Sequence, residues 1–412
     1  MSRGLAGLLL IVALAASACS SSDTATDEGL ALSPTESSTT VTVEPTSTSV
    51  DEPEAAPTTS ASTSTVQDET DLEFGDALEA IVSETGVPGL GAAAFDSNGM
   101  IDIAVSGVRQ RGDSTALTVE DRFHLGSNTK AMTAALFARL NEQGSGVAFD
   151  TTLAEAFTGA TAIHDEYTGV TMAQLMTHTG GVPNEPDIDE TILDLPATEG
   201  RALGTELVLS EPPEVAPGTV ARYSNIGYVM VGAALEAATG QTWEDLMRGQ
   251  VFEPLDMDSC GFGPPGVEGE LDEPRGHDPS GRPVYADNPA LIGPAGTVHC
   301  SMNDWGVFLV ELLRGLRGES DFLTQASVEQ LFEPATEPVE GIPGAQNVLG
   351  WIAFDDPQGT VYWHNGSNMF WYSQAAIVPE IDAAILVVTN EAGTGQQAAD
   401  MAFEVLTKMF PE

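Results

Sequence analysis

Hydrophobic and polar residues alternate in ways that predict strands near both ends of the chain and helices between them. Residues 72–84 carry apolar side chains at helical spacing, and the apolar runs 89–95 and 101–106 are typical of strands. Asp96-Ser97-Asn98-Gly99 joins these two strands, and its Asn-Gly pair favours a hairpin turn because both residues tolerate positive φ. A long helix is predicted over 128–143, and the glycine that follows would end it.

The pattern changes twice after that helix. The middle of the chain, to about residue 294, is predominantly helical with Gly- and Pro-rich loops, and strands return before a closing helix. The predicted helices of the middle include 227–239 and 243–252, the later strands are 350–354, 360–364, 372–378 and 383–389, and the last helix is 397–410. We therefore expect an α/β plus all-α fold, in which one sheet is assembled from both chain ends around an inserted helical region.

The first 18 residues have the layout of a secretory signal peptide. Arg3 precedes an apolar run over 8–16, which is too short to span a bilayer, and small residues follow. Ala16-Ser17-Ala18-Cys19 resembles the lipobox of bacterial lipoproteins, in which the cysteine is lipidated and becomes the mature N-terminus. Because Ala16 stands where leucine is usual, cleavage and free secretion is the alternative. We expect an exported protein that is either anchored to the cell membrane through Cys19, facing outward, or secreted.

Residues 19–71 differ in composition from everything that follows. After Cys19 they consist mainly of Ser, Thr, Pro, Asp and Glu, with few large apolar residues and no Lys or Arg. Such a segment cannot bury enough apolar surface to offset the entropy that ordering would cost. We interpret it as a disordered linker between an anchor and a folded body, residues 72–412.

The charge of the chain excludes some classes of partner. The 412 residues include 14 Lys and Arg against 62 Asp and Glu, so the formal net charge is 14 minus 62, or −48. An excess of this size repels nucleic-acid phosphates and anionic lipid, so we expect no nucleic acid and no membrane contact besides a lipid anchor. Only Lys130 and Lys408 are lysines, and a chain that nearly avoids lysine invites attention to the ones it keeps.

Lys130 belongs to a short motif with chemical meaning. Ser127-Asn128-Thr129-Lys130 follows a strand-like segment, 122–125, and begins the long helix, so the serine hydroxyl and the lysine amine share one helix face. A serine is a poor nucleophile until a base takes its proton, and burial lowers the pKa of an amine enough for it to serve as that base. The alternative is a helix cap by Ser127, which leaves the lysine unexplained because a capping box has Glu or Gln there.

A second candidate is Tyr223-Ser224-Asn225, in a loop just before a helical stretch. A phenol near Lys130 can relay a proton between the serine and a leaving group, and a carboxamide can bind a substrate amide. A core tyrosine and a turn asparagine explain the same residues equally well.

A third candidate is His364-Asn365-Gly366, at the end of the predicted strand. Two other His-x-Gly sequences begin at His124 and His178. Only His364 lies on a C-terminal, edge-like strand, where Gly366 would let a substrate backbone approach closely. We expect His178 to be a structural helix terminus after the apolar helix 172–176, and His124 to pack near the nucleophile without acting.

The cysteines and the remaining histidines indicate no metal site. Cys260 and Cys300 lie in an exported body, where they either form a disulfide or remain as two buried free thiols. No Cys-x-x-Cys or His-rich spacing surrounds them, so neither a metal nor a cofactor is expected.

The three motifs in this order resemble the penicillin-recognising serine hydrolases, the family of serine β-lactamases and D-alanyl-D-alanine peptidases. The likeness extends over about 74–410. Further matching segments are Phe123-His124-Leu125-Gly126-Ser127, Leu175-Met176-Thr177-His178-Thr179-Gly180-Gly181-Val182-Pro183, Pro294-Ala295-Gly296, Leu349-Gly350-Trp351 and Val387-Val388-Thr389-Asn390. The resemblance implies a β-lactamase/transpeptidase-like fold, with an antiparallel sheet built from both chain ends, flanking helices and the inserted helical region.

The resemblance also implies a role for each motif. Ser127 would be acylated by a carbonyl substrate, with Lys130 and Tyr223 sharing the proton transfers. Asn225 would bind the acyl-side amide, and the backbone N–H groups of Ser127 and Ser367 would form the oxyanion hole.

The third motif departs from the β-lactamases of this group, which usually carry Lys-Thr-Gly. His-Asn-Gly, with His364 and Gly366 on the substrate side, looks like the D-alanyl-D-alanine carboxypeptidase branch and also like the related esterases and D-amino-acid peptidases. A neutral imidazole pairs less strongly with a substrate carboxylate than an ammonium would. The expected substrate is a peptidoglycan peptide or a small molecule. An esterase, a D-amino-acid peptidase, a β-lactamase and a surface binding protein with a vestigial site are the alternatives.

Overall fold

The computed structural model describes residues 68–184, 186–335, 339 and 342–410. The predicted signal peptide, Cys19 and nearly all of the predicted linker lie outside these residues. Within the described ranges, no helix is both long enough and apolar enough to cross a membrane.

A seven-stranded antiparallel sheet forms the centre of the fold. Its strands and those of two small sheets are β1 (Gly89–Asp96), β2 (Gly99–Gly107), β3 (Arg122–His124), β4 (Gly261–Phe262), β5 (Gly276–His277), β6 (Pro283–Val284), β7 (Val298–Ser301), β8 (Gln346–Val348), β9 (Trp351–Asp356), β10 (Gly359–Ser367), β11 (Tyr372–Val378) and β12 (Ala383–Thr389). The strand order in the large sheet is β2-β1-β12-β11-β10-β9-β8, so β1 pairs with β12 and joins the two chain ends. The predicted sheet from both ends of the chain is confirmed.

Helices cover both faces of this sheet and fill the inserted region. Within the described ranges they are α1 (Asp68–Thr85), α2 (Thr129–Glu142), α3 (Leu153–Ala156), α4 (Met172–Met176), α5 (Glu190–Leu193), α6 (Ala197–Ser210), α7 (Asn225–Thr239), α8 (Trp243–Met247), α9 (Gly293–Gly296), α10 (Met302–Leu316), α11 (Gln325–Leu331) and α12 (Gly393–Thr407). A π-helical segment, Arg248–Phe252, continues α8. The region between β2 and β8 is predominantly helical, as its apolar spacing predicts.

Side-chain alternation along β1 separates two hydrophobic cores. Leu90, Ala92 and Ala94 pack with α1 and α12, whereas Ala93 and Phe95 pack with the helical region on the opposite face. Successive side chains of a strand point to opposite faces, so one apolar run supplies both cores. A strand buried on both sides therefore reads in sequence as a continuous apolar segment.

The inserted region also contains short strands. β3, β7 and β4 form a three-stranded sheet beside the beginning of α2, and β5 pairs with β6. The strand-like segment predicted at 122–125 is β3, whereas the other four strands are not predicted. Each has two to four residues, too few to produce a recognisable alternation. Cys300 on β7 is bonded to Cys260, which precedes β4, so of the two states predicted for these cysteines the structure contains the disulfide.

The conformation of one turn and several helix ends differ from the prediction. The first helix, α1, begins at Asp68, four residues before the predicted start at residue 72. The hairpin turn between β1 and β2 does not use positive φ at Asn98: only Gly99 has it, and the Asp96 carboxylate accepts the N–H groups of Asn98 and Gly99 instead. The sequence predicts the last helix over 397–410. It begins four residues earlier, at Gly393, and ends three residues earlier, at Thr407. Helix ends depend on caps and packing more than on apolar spacing.

Candidate active site

Ser127 lies in a tight turn between β3 and α2. The segment Gly126–Asn128 is a 3-10 turn, and α2 starts immediately after it. The Ser127 Oγ atom is 2.6 Å from Tyr223 Oη and 3.1 Å from Lys130 Nζ. The residue that caps α2 is Asn128, and no side chain bonds to the free N–H groups there. The interpretation of Ser127 as a helix cap is therefore wrong.

Lys130, in the first turn of α2, is fully buried. Its Nζ atom lies within hydrogen-bond distance of three oxygens: Ser127 Oγ, Asn225 Oδ1 at 2.7 Å and the carbonyl of Ala295 at 2.8 Å. The ring of Tyr223 lies below it, 4.8 Å from Nζ to the centroid. These contacts offset the cost of removing the amine from water. Lys408, by contrast, is exposed and pairs with Glu404.

Tyr223 and Asn225 are held by the beginning of α7. The Ser224 hydroxyl accepts the Gly227 N–H at 3.0 Å and donates to the carbonyl of Pro183 at 3.0 Å. The backbone N–H of Asn225 donates to Asn184 Oδ1 at 2.9 Å. Capping fixes the backbone on either side of Ser224, and both neighbouring side chains therefore project towards Lys130. The two residues stand at Ser127 and not in a separate core or turn.

The sequence predicts that the third motif lies at the end of a strand. In the structure, the motif belongs to the last part of β10, which continues to Ser367. β9 pairs with β10 only as far as Trp363, so the last four residues of β10 pair with β11 alone. β10 is an inner strand of the sheet, and only this last part has a free edge. That edge faces the Ser127 turn, which puts Ser367 beside the nucleophile.

Two glycines allow these backbones to touch. A Cβ on Gly366 would lie 2.1 Å from the Leu125 carbonyl oxygen and 2.7 Å from the Ser127 nitrogen, and one on Gly126 would lie 2.5 Å from the Ser367 nitrogen. Gly126 also has a φ of 50°. Only glycine fits such contacts. The N–H groups of Ser127 and Ser367 are brought close together by this packing.

His364 is buried behind the nucleophile, with 3% of its surface exposed. Its Nδ1 atom contacts the carbonyl oxygen of Asn365. Burial, with the charge of Lys130 adding to it, lowers the pKa of His364 to about 3. The imidazole is therefore neutral at any physiological pH.

His124 belongs to a buried network that connects both sides of the candidate oxyanion hole. Its Nδ1 atom accepts the Gly126 N–H at 3.1 Å, and its Nε2 atom lies 2.8 Å from Asp287 Oδ1. The Asn368 amide donates to the same carboxylate oxygen at 3.0 Å. His124 is thus packed near the nucleophile, where the sequence places it, and supports the turn from behind.

His178 does more than end a helix. It lies two residues beyond α4 with a φ of 61°, and its Nδ1 accepts the Ser224 N–H at 3.1 Å. Its ring packs against the Tyr223 ring, tilted by 41°, with 4.6 Å between centroids. Burial, followed by the charge of Lys130, lowers the pKa of His178 well below its ordinary value. His178 is thus the structural helix terminus that the sequence predicts, since its N–H donates to the Leu175 carbonyl just past α4. Its neutral ring also packs against the candidate proton relay.

Three residues of the site have no role in the sequence-based prediction. Asn184 directly follows the matching segment that ends at Pro183, so that segment could have indicated it. The carbonyl of Ala295 lies within a matching segment, but a backbone acceptor has no side-chain signature. Asp287 has no local signal, because its partners are 163 and 81 residues away in the chain.

A cavity of about 300 Å³ opens beside Ser127. Much of its lining is aliphatic, and its polar lining comes from Ser127, Asn184, Asn225, Asn288 and Ser367. No described lining residue carries a charge. No cluster of His, Cys, Asp and Glu within the described ranges could hold a metal ion.

Two known proteins illustrate the sequence similarity, one over most of this chain and one over less than half of it. A penicillin-binding protein 4 of Amycolatopsis lactamdurans is 26% identical over 349 residues, which cover 81% of this chain and 88% of that protein. A D-alanyl-D-alanine-carboxypeptidase/endopeptidase, AmpH of Escherichia coli K12, is 25% identical over 183 residues, 44% of this chain and 46% of that protein.

Among solved structures, the octameric penicillin-binding protein homologue from Pyrococcus abyssi has the same fold. Its TM-score is 0.68 at 22% identity, over 82% of this chain and 77% of that one. A scan against protein families matches residues 74–407 to the family described as Beta-lactamase. With its sheet, its helical insertion and this match over most of its length, the chain belongs to the beta-lactamase family.

Proposed function

We propose that this protein is an exported serine hydrolase that forms an acyl-enzyme at Ser127 and cleaves D-alanyl peptide, amide or ester bonds, as D-alanyl-D-alanine carboxypeptidases do. The observation that carries the proposal is the contact of Ser127 Oγ with both Tyr223 Oη, at 2.6 Å, and the buried Lys130 Nζ, at 3.1 Å. The name of the carboxypeptidase/endopeptidase relative supports the choice of substrate.

Acylation would begin with attack of Ser127 Oγ on the substrate carbonyl carbon. The hydroxyl proton leaves to the Tyr223–Lys130 pair, whose two polar atoms both touch Oγ. Negative charge then develops on the carbonyl oxygen. The N–H groups of Ser127 and Ser367 would stabilise that charge, a contribution of about 3 to 4 kcal/mol where such donors have been removed in other hydrolases.

Breakdown of the tetrahedral intermediate would pass the stored proton to the leaving nitrogen or oxygen. Tyr223 suits this step because its hydroxyl also lies 3.4 Å from Asn225 Oδ1, on the side where a substrate amide would bind. A water molecule would then attack the ester carbonyl and lose its proton to the same pair. Ser127 regains its hydroxyl as the acid product leaves.

The test is covalent labelling of Ser127. A p-nitrophenyl ester of N-acetyl-D-alanine and a fluorescent penicillin are each mixed with the wild type and with Ser127→Ala, and intact mass is recorded over time. We expect added mass on the wild type only, and a loss of ester turnover of at least about 10³-fold in the variant. If neither probe ever adds mass at Ser127, the nucleophile is wrongly assigned and the surface binding protein becomes the better interpretation.

A further inference from the structure

This chain has so few positively charged residues that the contacts of each can be described. Of its 14 Lys and Arg residues, all except Arg3 lie within the described ranges. A carbonyl substrate with a carboxylate beside the scissile bond needs a cation there, because an unpaired charge in a partly dry site is costly. The question is which cation of this protein could supply that charge.

Lys130 is the cation at Ser127, but it is already coordinated. It is fully buried, and its three contacts with Ser127 Oγ, Asn225 Oδ1 and the Ala295 carbonyl account for the three donors that an ammonium has. A substrate carboxylate could reach Nζ only by displacing the nucleophile or the asparagine. Lys130 therefore serves the reaction and not the recognition of an anion.

The other cations are engaged elsewhere. Arg222, next to Tyr223 in the sequence, pairs with Glu214 at 2.6 Å. The remaining described arginines contact carboxylates or backbone carbonyls of the protein itself. None of them lines the cavity beside Ser127.

His364 occupies the motif position at which the β-lactamases of this group carry lysine. Its Nδ1 contacts the Asn365 carbonyl and its ring is almost completely buried. Burial keeps the imidazole uncharged, as its lowered pKa indicates. This side chain can fill space or offer a weak hydrogen bond, but it cannot neutralise a carboxylate.

A carboxylate, Asp287, also lies close to the candidate oxyanion hole, with 7% of its side chain exposed. Asp287 contacts His124 and Asn368, and Asn368 directly follows Ser367. The cavity lining itself offers neutral polar groups and aliphatic side chains such as Ile188, Leu193, Ile226 and Leu291. None of the described residues that line the cavity is charged, and the cation that contacts Ser127, Lys130, is engaged by the protein itself.

From this distribution of charge we propose that the natural substrate has no free carboxylate on its leaving group, and that the enzyme cleaves internal or C-terminally blocked D-alanyl bonds, or neutral esters, with an apolar acyl half. This inference rests on the proposed function, whose reaction it keeps. It separates this chain from a strict carboxypeptidase.

The experiment uses two esters of N-acetyl-D-alanine that differ in one group. One has glycolic acid as its alcohol and the other has glycolamide, so the leaving groups match in size and only the first carries a carboxylate. Release of N-acetyl-D-alanine is followed by mass spectrometry, with Ser127→Ala as the blank. We expect kcat/KM to be at least about tenfold higher for the glycolamide ester.

Repeating the ester comparison at high salt distinguishes recognition by the residues of the site from repulsion by the net charge of the whole molecule. A net charge of −48 repels anionic substrates from a distance, but this repulsion is screened at about 0.5 M salt, where the Debye length is well below about 8 Å. A preference that persists there supports the proposal. A preference that disappears assigns the discrimination to long-range repulsion and overturns it.

The comparison of the two esters also distinguishes failure of this inference from failure of the proposed function. Equal or faster cleavage of the glycolate ester refutes the inference and leaves the proposed function intact. If neither ester acylates Ser127, the proposed function itself is refuted. In a second variant, His364→Lys, the added ammonium should reduce the preference for the neutral ester. An active His364→Lys enzyme with an unchanged preference would contradict the role given to the neutral imidazole.

Discussion

At the scale of single residues, the chemistry depends on the contacts that offset the cost of burying the Lys130 amine. The lysine loses all contact with water and gains three oxygen contacts and an aromatic ring. Its spacing from Ser127 follows from helical geometry, so the sequence predicts this pair directly. Its other partners come from residues 95 and 165 positions away, and local spacing carries no information about them.

Tyr223→Phe tests the proton relay without changing the packing around it. The variant removes the hydroxyl that touches Ser127 Oγ but keeps the ring against which His178 packs. We expect kcat for an N-acetyl-D-alanine ester to fall by about 10²- to 10⁴-fold, with little change in thermal stability.

The matched control is Tyr285→Phe, which removes a hydroxyl that donates to the Gly266 carbonyl. Its turnover should equal that of the wild type. A Tyr223→Phe enzyme with unaltered kcat would mean that Lys130 alone handles the proton.

At the scale of elements, long buried strands and helices are predictable and short ones are not. β1, β11 and β12 appear as apolar runs because both of their faces are covered. β8, β4 and β7 are missed, since two to four residues show no period. β10 continues to Ser367 because its last residues pair with β11, a contact that its own polar sequence, His-Asn-Gly-Ser, does not indicate.

The contact between α12 and β11 predicts a pH-dependent stability. Burial raises the pKa of Asp400 to about 6, against its ordinary 3.8, while the nearby amide of the fully buried Gln374 opposes the rise. A raised carboxyl pKa means that the folded protein prefers the protonated form. This contribution to stability is present below about pH 4 and is lost as the pH rises through about 6.

Asp400→Asn should therefore stabilise the protein at high pH and not at low pH. We expect the free energy of unfolding in urea to rise by about 1 to 2 kcal/mol at pH 8 and to stay unchanged near pH 4. The exposed Asp150→Asn variant controls for the loss of one negative charge from an acidic molecule. An equal gain for both variants at pH 8 would attribute the effect to net charge and not to burial of Asp400.

At the scale of the whole molecule, the charge of −48 is unevenly distributed. Residues 20–71, the predicted linker, contribute acidic residues and no basic ones, whereas the cavity beside Ser127 is lined by uncharged described residues. The total therefore describes the repulsion of distant anions, and the site has its own electrostatics, set by Lys130 and Asp287.

The proposed lipid anchor is also a property of the whole molecule. Full-length protein produced in a bacterium with lipoprotein processing should partition into detergent and incorporate labelled palmitate, because acyl chains at Cys19 would carry it into the membrane phase. Cys19→Ala should abolish both properties while ester hydrolysis by the body persists. Wild-type protein recovered without label in the medium would favour free secretion instead.

The sequence by itself determined the order of the elements, the sheet built from both chain ends and the pairing of Ser127 with Lys130. Apolar periodicity and i, i+3 spacing involve residues that are close in the chain, so both can be recognised in the sequence alone. Only the tertiary structure decided that Tyr223, Asn225 and Ala295 meet this lysine, that Gly126 and Gly366 touch opposite backbones, and that His364 is too deeply buried to hold a charge. These features depend on contacts between distant segments and on exclusion of water, which exist only once the chain is packed.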